Sequence, residues 1–287
     1  MKKLYSRIML KFFLTVIGIV LISAVPALLD GMRLDFLSYI SSIGTLFSNL
    51  FNPDALVYFA SDRENPLFPM LWGKWIYTME LLIAAFLIAF VMSLLLTYGT
   101  MLLPKKARDK ISFVLTFMES LPDVLIIGIF TIAVLTIYKK TNILFFNIIT
   151  FGDEHIFVLP IVVLAVLPTL LFYRIMMHDF EDEMGKSYID LAKARGLNTR
   201  EILFNHVLRN AIISIFLHSK SILWFMLSNL LVVEYIFNLP GLMFFMFKFY
   251  SPMILTIGLL LIFMPIYFMQ AMVQILIENT TKRRIEI

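Results

Sequence analysis

Between Met253 and Ile277 the chain reads MILTIGLLLIFMPIYFMQAMVQILI, without one Asp, Glu, Lys or Arg. A helix needs about 20 mostly apolar residues to cross the hydrocarbon layer, and this run is long enough. Comparable runs lie upstream at Phe12–Leu29, about Ile76 to Leu103, about Ile111 to Tyr138, Ile156–Tyr173 and about Ala211 to Phe237. Pro160 and Pro168 fall in the fourth run, where neighbouring helices accommodate them. The composition agrees. Of 287 residues, 60% are hydrophobic and only 15% charged, against about 25% charged in soluble domains. With a mean hydropathy of +0.89, a water-soluble globule is excluded. The expected fold class is an all-α integral membrane protein with six transmembrane helices.

The first run follows Lys2, Lys3, Arg7 and Lys11, as a signal peptide would, but exceeds the ~7–15 apolar residues of such a peptide. It is read as a retained span. Six spans place both termini on one side. If that side is cytoplasmic, 17 of 24 basic residues are inside and six outside, with Lys220 in a span. That bias supports an N-in, C-in topology and accounts for the net charge of +4 without a nucleic-acid partner. No cysteine is present, so disulfides, thiolate nucleophiles and Cys-based zinc sites are excluded. The four histidines (His155, His178, His206, His218) are not at helical ligand spacing, and no metal or cofactor is expected. The organisation read from the chain is residues 1–75, a first span with an outer loop. Residues 76–277 form a five-helix core with a cytoplasmic loop over 178–210, and 278–287 a tail.

In the outer loop Leu37, Ile40, Gly44, Phe47 and Phe51 recur at steps of three or four, interleaved with Ser38, Ser41, Ser42, Thr45 and Asn49. This pattern predicts an amphipathic helix of about four turns, ended by Asn52-Pro53. It suits an outer brace or a docking surface.

The loop from His178 to about Arg209 predicts two short helices. The first carries Tyr188, Leu191, Ala192 and Arg195 on one side and stops at Gly196, a residue suited to the left-handed cap position. The second starts at Asn198, with Glu201 three residues on as a capping-box partner. Such a hairpin suits docking onto a partner as well as simple connection. Gly185-Lys186-Ser187 is not a phosphate loop. The glycine required five residues earlier is replaced by Phe180, followed by Glu181, Asp182 and Glu183.

Tyr188-Ile-Asp-Leu-Ala-Lys-Ala-Arg-Gly-Leu197 followed by Phe204-Asn-His-Val-Leu-Arg-Asn-Ala211 resembles the EAA-type coupling motif of ABC importer permeases. The version is that of the peptide and nickel subfamily, whose permeases include the dipeptide and oligopeptide permease B type. Asp190, Leu191 and Ala192 stand where the general motif has Glu-Ala-Ala; Gly196 and Leu208 take its glycine and leucine. The chain departs from the general form at Asp190, Leu191, His206 and Arg209. Val233-Glu-Tyr-Ile-Phe-Asn-Leu-Pro-Gly-Leu242 and Leu121-Pro122 are further resemblances. The Pro-Gly-Asp-Pro-like turn of relatives is replaced by Ala24-Val-Pro-Ala-Leu28. The likeness covers about Leu164 to Ile277.

The resemblance implies a type I ABC importer permease in a prokaryotic cytoplasmic membrane, carrying peptides or nickel and other metal chelates. ATP hydrolysis would belong to a separate subunit. Tyr188, Asp190, Leu191, Ala192, Ala194, Arg195, Gly196, Leu197 and Leu208 would couple to that ATPase, and Glu234, Pro240 and Gly241 would form an outer-end motif. Implied partners are two ATP-binding subunits, a second permease chain and an extracytoplasmic substrate-binding protein.

Glu119 and Asp123 are four residues apart, on one face if a single helix runs through them. At ~1.5 Å per residue they would lie about 13 and 20 Å along the third span, and Lys220 about 15 Å along the fifth. Ionisable groups at such depth find partners, so Lys220 is expected to pair with Glu119 or Asp123, as a structural pair or as part of a pathway. The competing class, a secondary transporter or channel, predicts repeats and discontinuous helices; neither is apparent in the sequence.

Overall fold

The computed structural model describes residues 2–30, 33–52, 56–60, 63–141 and 156–281. In chain order the helices are α1 Lys2–Ala24, α2 Phe36–Asn49, α3 Leu67–Met101, α4 Lys105–Glu119, α5 Asp123–Thr141 and α6 Val158–Met184. They continue with α7 Ser187–Ala194, α8 Thr199–Ile202, α9 Leu208–Ile236, α10 Leu242–Lys248 and α11 Pro252–Thr281. Two small antiparallel hairpins add β1 Leu29–Asp30 with β2 Arg33–Leu34, and β3 Val57–Ala60 with β4 Arg63–Pro66. His155, Pro53 and the tail residues Lys282, Arg283 and Arg284 lie outside the described residues. The protein is an all-α integral membrane protein. Five described stretches are each long and apolar enough to span: Leu4–Leu28, Leu67–Met101, Val158–Met184, Thr199–Ile236 and Pro252–Ile275.

The third expected span is not one helix. Lys105–Glu119 and Asp123–Val134 meet at 98°, so the continuous helix expected over Ile111–Tyr138 is corrected to a broken pair. Pro122 lacks a backbone donor and disfavours helical backbone at Leu121. The Ser120 and Leu121 amides turn back to the carbonyls of Phe117 and Met118, closing α4. Asp123 then opens α5, where the helix N-terminus favours an acidic group. Glu119 and Asp123 therefore share no helix face, and depths counted along one axis do not apply to them. Pro168, by contrast, stays inside α6 and Pro265 inside α11.

The chain forms two compact units, Met1–Met79 with Pro240–Ile287, and Glu80–Leu239. In the first, α1 packs on α11 through Ile19, Leu260 and Phe263, with Phe12, Val16 and Tyr267 around them. The Tyr267 hydroxyl donates to the Ile8 carbonyl and Trp75 Nε1 to the Leu261 carbonyl, the latter at 2.8 Å.

The expected outer helix is present as α2, capped by Asp35, whose carboxylate accepts the Leu37 and Ser38 amides at 3.0 Å. Its packing face differs from the stripe read in the sequence. Tyr39, Ile43, Leu46 and Leu50 face Val20 and Ala24 of α1, while Leu37, Ile40, Phe47 and Phe51 point away and are 56–82% exposed. An outward apolar stripe suits burial in the lipid interface.

The fully buried Thr78 hydroxyl accepts the Leu242 amide at 2.7 Å and so holds the first turn of α10. Thr78→Val leaves that amide without this acceptor. The expected cost is about 1–3 kcal/mol, read as a lower thermal midpoint of the chain in nanodiscs; Thr78→Ser is expected to retain the wild-type midpoint.

In the second unit α6 packs along α9. Phe172, Tyr173, Met176 and Phe180 of α6 are at most 1% exposed, and Phe172 meets Phe86 and Phe90 of α3 edge-on. Ile126 of α5 joins Leu167 and Leu170 of α6 in a further cluster, with Phe225 of α9 against it. The bent-away α4 is tied to α6 by Ser112 Oγ to Tyr173 Oη at 3.1 Å and Arg108 Nε to Glu181 Oε1 at 3.3 Å.

Candidate functional site

The expected hairpin is formed by α7, a turn, α8 and the start of α9. Its turn is built by local chemistry. Gly196 has φ +81°, the left-handed conformation in which a Cβ is penalised. The Gly196 amide donates to the Lys193 carbonyl at 2.9 Å and the Leu197 amide to that of Ala192 at 3.2 Å. This is the paired-bond C-terminal cap that glycine permits. Two residues later the capping box is complete. Asn198 Oδ1 accepts the Glu201 amide at 2.9 Å, and Glu201 Oε2 accepts the Asn198 amide at 3.0 Å. The chain then passes through one π-helical turn, Leu203–Val207, into α9.

The hairpin residues divide into two groups. Ile189, Ala192, Ile202, Leu203 and Val207 are buried and hold the hairpin together. Ala192 is buried, whereas Leu191 and Arg195 near it are exposed. Leu191 and Phe204 project outward, 56% and 63% exposed, beside exposed Asp190, Ala194, Arg195 and Gly196. Tyr188, Leu197 and Leu208 are half-buried. Two large apolar side chains are thus exposed among polar neighbours on the hairpin.

Sequence reasoning missed the residue at the base of this hairpin. Glu183, 9% exposed, closes the inward stripe of α6 after Met176 and Phe180, and that spacing was the available signal. Its carboxylate accepts hydrogen bonds from the Lys186 ammonium and the Tyr188 hydroxyl. Asn210 Nδ2 of α9 donates to the same Tyr188 hydroxyl at 2.9 Å. One carboxylate thereby joins α6, α7 and α9.

Hydrogen bonding to Glu183 holds the Lys186 ammonium above its ordinary 10.5. Burial first, and then its bond to Glu183, push the Tyr188 hydroxyl above 10.0. Both folded values are raised, so both contributions are complete below the unfolded values and vanish as pH rises through the folded ones. Protease susceptibility of the hairpin is therefore expected to be level from about pH 7 to 9 and to rise above about pH 10. A rise beginning near pH 8 would contradict this.

Of the charges expected within the spans, Glu119 has a partner that the sequence did not single out. Glu119 Oε1 pairs with Arg174 Nη1 of α6 at 3.1 Å, a partner the sequence reading counted only as a topology signal. Asp123 Oδ1 accepts the Val124 amide of its own helix at 3.1 Å. Lys220 is half-buried on α9; its neighbour Ser221, and not Lys220, lines the cavity that holds Glu119, Asp123 and Arg174. Among the described residues no group of three or more His, Cys, Asp or Glu is placed to hold a metal.

At the outer-end motif Glu234 is fully buried, and the turn after α9 is closed by the Leu239 amide on the Glu234 carbonyl at 2.9 Å. Asn238 takes the left-handed backbone there, with φ 49°, a conformation asparagine tolerates. Pro240 follows the turn, and Gly241 precedes α10 in extended backbone.

Several known proteins resemble the chain in sequence. The chain is 29% identical over 182 residues to the metal-staphylopine import system permease protein of Staphylococcus aureus strain Mu50, covering 62% of this chain and 56% of that protein. It is 31% identical over 113 residues to the dipeptide transport system permease protein of Bacillus subtilis, covering 39% of this chain and 37% of that protein. With the dipeptide permease protein of Haemophilus influenzae the identity is 34% over 84 residues, 29% of this chain and 25% of the relative. The chain thus matches little more than half the length of these relatives at most. Over residues 89–277, which include α4 to α10, it matches the binding-protein-dependent transport system inner membrane component, and the chain belongs to that family.

Proposed function

We propose that the chain is a permease subunit of an ATP-driven ABC importer. It forms half of a transmembrane pathway for small peptides and couples to a separate ATP-binding subunit through the α7–α8 hairpin. The observation that carries this reading is the hairpin itself. Its turn is fixed by Gly196 and the Asn198–Glu201 box, its base by Glu183, and its tip presents Leu191 and Phe204.

ATP-driven closure of two such ATPase subunits would carry the hairpins with it. The bundle would switch access because the two states make different contacts. In this reading the termini and hairpin are cytoplasmic, a second permease completes the pathway, and a substrate-binding protein delivers from outside. Peptides are favoured because the Bacillus and Haemophilus relatives are dipeptide permease proteins. A metal chelate follows from the Staphylococcus relative.

Affinity purification of the full chain from its own membranes tests this. Recovery of an ATP-binding subunit together with peptide uptake that stops when ATP is removed is expected. Uptake that continues without any ATPase would refute it.

A further inference from the structure

A cavity of about 450 Å³ opens where α4 breaks from α5, walled by α6 and α9. Leu171 and Phe225 supply apolar surface, and Glu119, Asp123, Arg174 and Ser221 supply polar groups. The charges do not balance. Two carboxylates face one guanidinium, and that guanidinium's side chain is 56% exposed. Glu119 spends Oε1 on Arg174, while its Oε2 is buried without a hydrogen-bond partner. A buried carboxylate oxygen left unmatched is costly, and more so in a membrane bundle.

We infer that this cavity is a binding site for an organic cation, an ammonium group of the transported molecule. Such a ligand gives Glu119 Oε2 the donor it lacks and neutralises the excess carboxylate. The apolar wall accommodates the carbon attached to the nitrogen. A bare metal ion fits poorly, because only two acidic ligands are present and no third His, Cys, Asp or Glu joins them among the described residues. An anion meets the wrong charge. The role in transport rests on the importer reading, whereas the presence of the site does not.

The chain contains no cysteine, so Ser221→Cys places a unique thiol on the cavity wall. Its modification is measured in membrane vesicles with two reagents, trimethylammonium-ethyl methanethiosulfonate and sulfonatoethyl methanethiosulfonate, each normalised to a free thiol. Field focusing in a cavity whose lining is net negative raises encounter rates by about tenfold or more, so a cationic preference of about tenfold is expected. Glu119→Gln and Asp123→Asn should each lower it at least about threefold. Asp123→Asn leaves the Glu119–Arg174 pair untouched, which guards against misfolding as the cause. Dialanine should slow the cationic labelling, and N-acetyl-dialanine, which lacks the ammonium, should not. A preference unchanged by both substitutions, or equal protection by the two peptides, overturns the site. Labelling needs no ATP turnover. An intact preference in a chain that shows no ATP-driven uptake would support the site and remove the importer reading alone.

Discussion

Gly196→Val is expected to lower ATP-driven uptake by about tenfold or more while the chain remains inserted at its normal level. The reason is confined to the backbone. At φ +81° a Cβ added to Gly196 meets no atom within 4 Å, so the branch point itself enters open space and the main cost is conformational. What changes is the conformational preference of one residue. Left-handed backbone costs an L-residue roughly 1–2 kcal/mol, and a β-branched one more. An eight-residue helix such as α7 has little internal stability to oppose that cost. The paired bonds from the Gly196 and Leu197 amides would be lost, and with them the fixed turn between α7 and α8. A graded series follows from the same argument, with Asn close to glycine, Ala intermediate and Val worst. Substrate-stimulated ATPase activity of the reconstituted importer, set against chain abundance in the membrane, reads the series. A Val variant that couples as well as wild type would show that the turn geometry is irrelevant.

The second large effect is expected at Glu183. Glu183→Ala removes the shared acceptor of Lys186 and Tyr188, leaving the half-buried tyrosine hydroxyl with Asn210 at 2.9 Å. Loss of a partner in such a network costs about 1–3 kcal/mol, falling here on the joint between α6 and the hairpin. Uptake is expected to fall about tenfold, and protease cutting between α6 and α7 to increase. Tyr188→Phe alone should cost less. The double variant should lose less than the sum of the single losses, because both act through one network. Strict additivity in the cycle would separate the two residues and remove Glu183 from the joint.

How much of this was legible in the sequence depended on how local the determinant was. Gly196, Asn198 and Glu201 act within a few residues, so the turn and the capping box could be read directly. Spans such as α11 were equally plain, because burial in lipid leaves a charge-free run. The break at Ser120–Pro122 was harder. Leu121-Pro122 sits in the polar dip Glu119-Ser-Leu-Pro-Asp123 and Leu167-Pro168 in an uncharged run, and only the first interrupts a helix. Asp123 after Pro122 was the available signal, since an acidic residue following proline marks a helix start. The discontinuous helix was therefore not anticipated.

Two features depended on tertiary crossing. Arg174 lies at the end of an apolar run and looks like a topology charge until α4 crosses α6 and delivers Glu119 to it. On α2 the sequence contains two apolar stripes. Spacing alone could not tell that Tyr39, Ile43 and Leu46 face α1 while Leu37 and Phe47 face away.

Docking of the α7–α8 hairpin on an ATP-binding subunit can be read by cross-linking from the exposed hairpin residues. In this cysteine-free chain, Leu191→Cys and Phe204→Cys each place a single reactive thiol on the exposed face. Phe47→Cys on α2, equally exposed, serves as the control. Membranes containing the assembled importer are treated with a short thiol–amine cross-linker, and adducts are identified by mass spectrometry. An adduct with the ATP-binding subunit is expected from both hairpin positions and none from position 47. Absence of that adduct from both hairpin positions, in membranes where the subunits co-purify and transport, would contradict it.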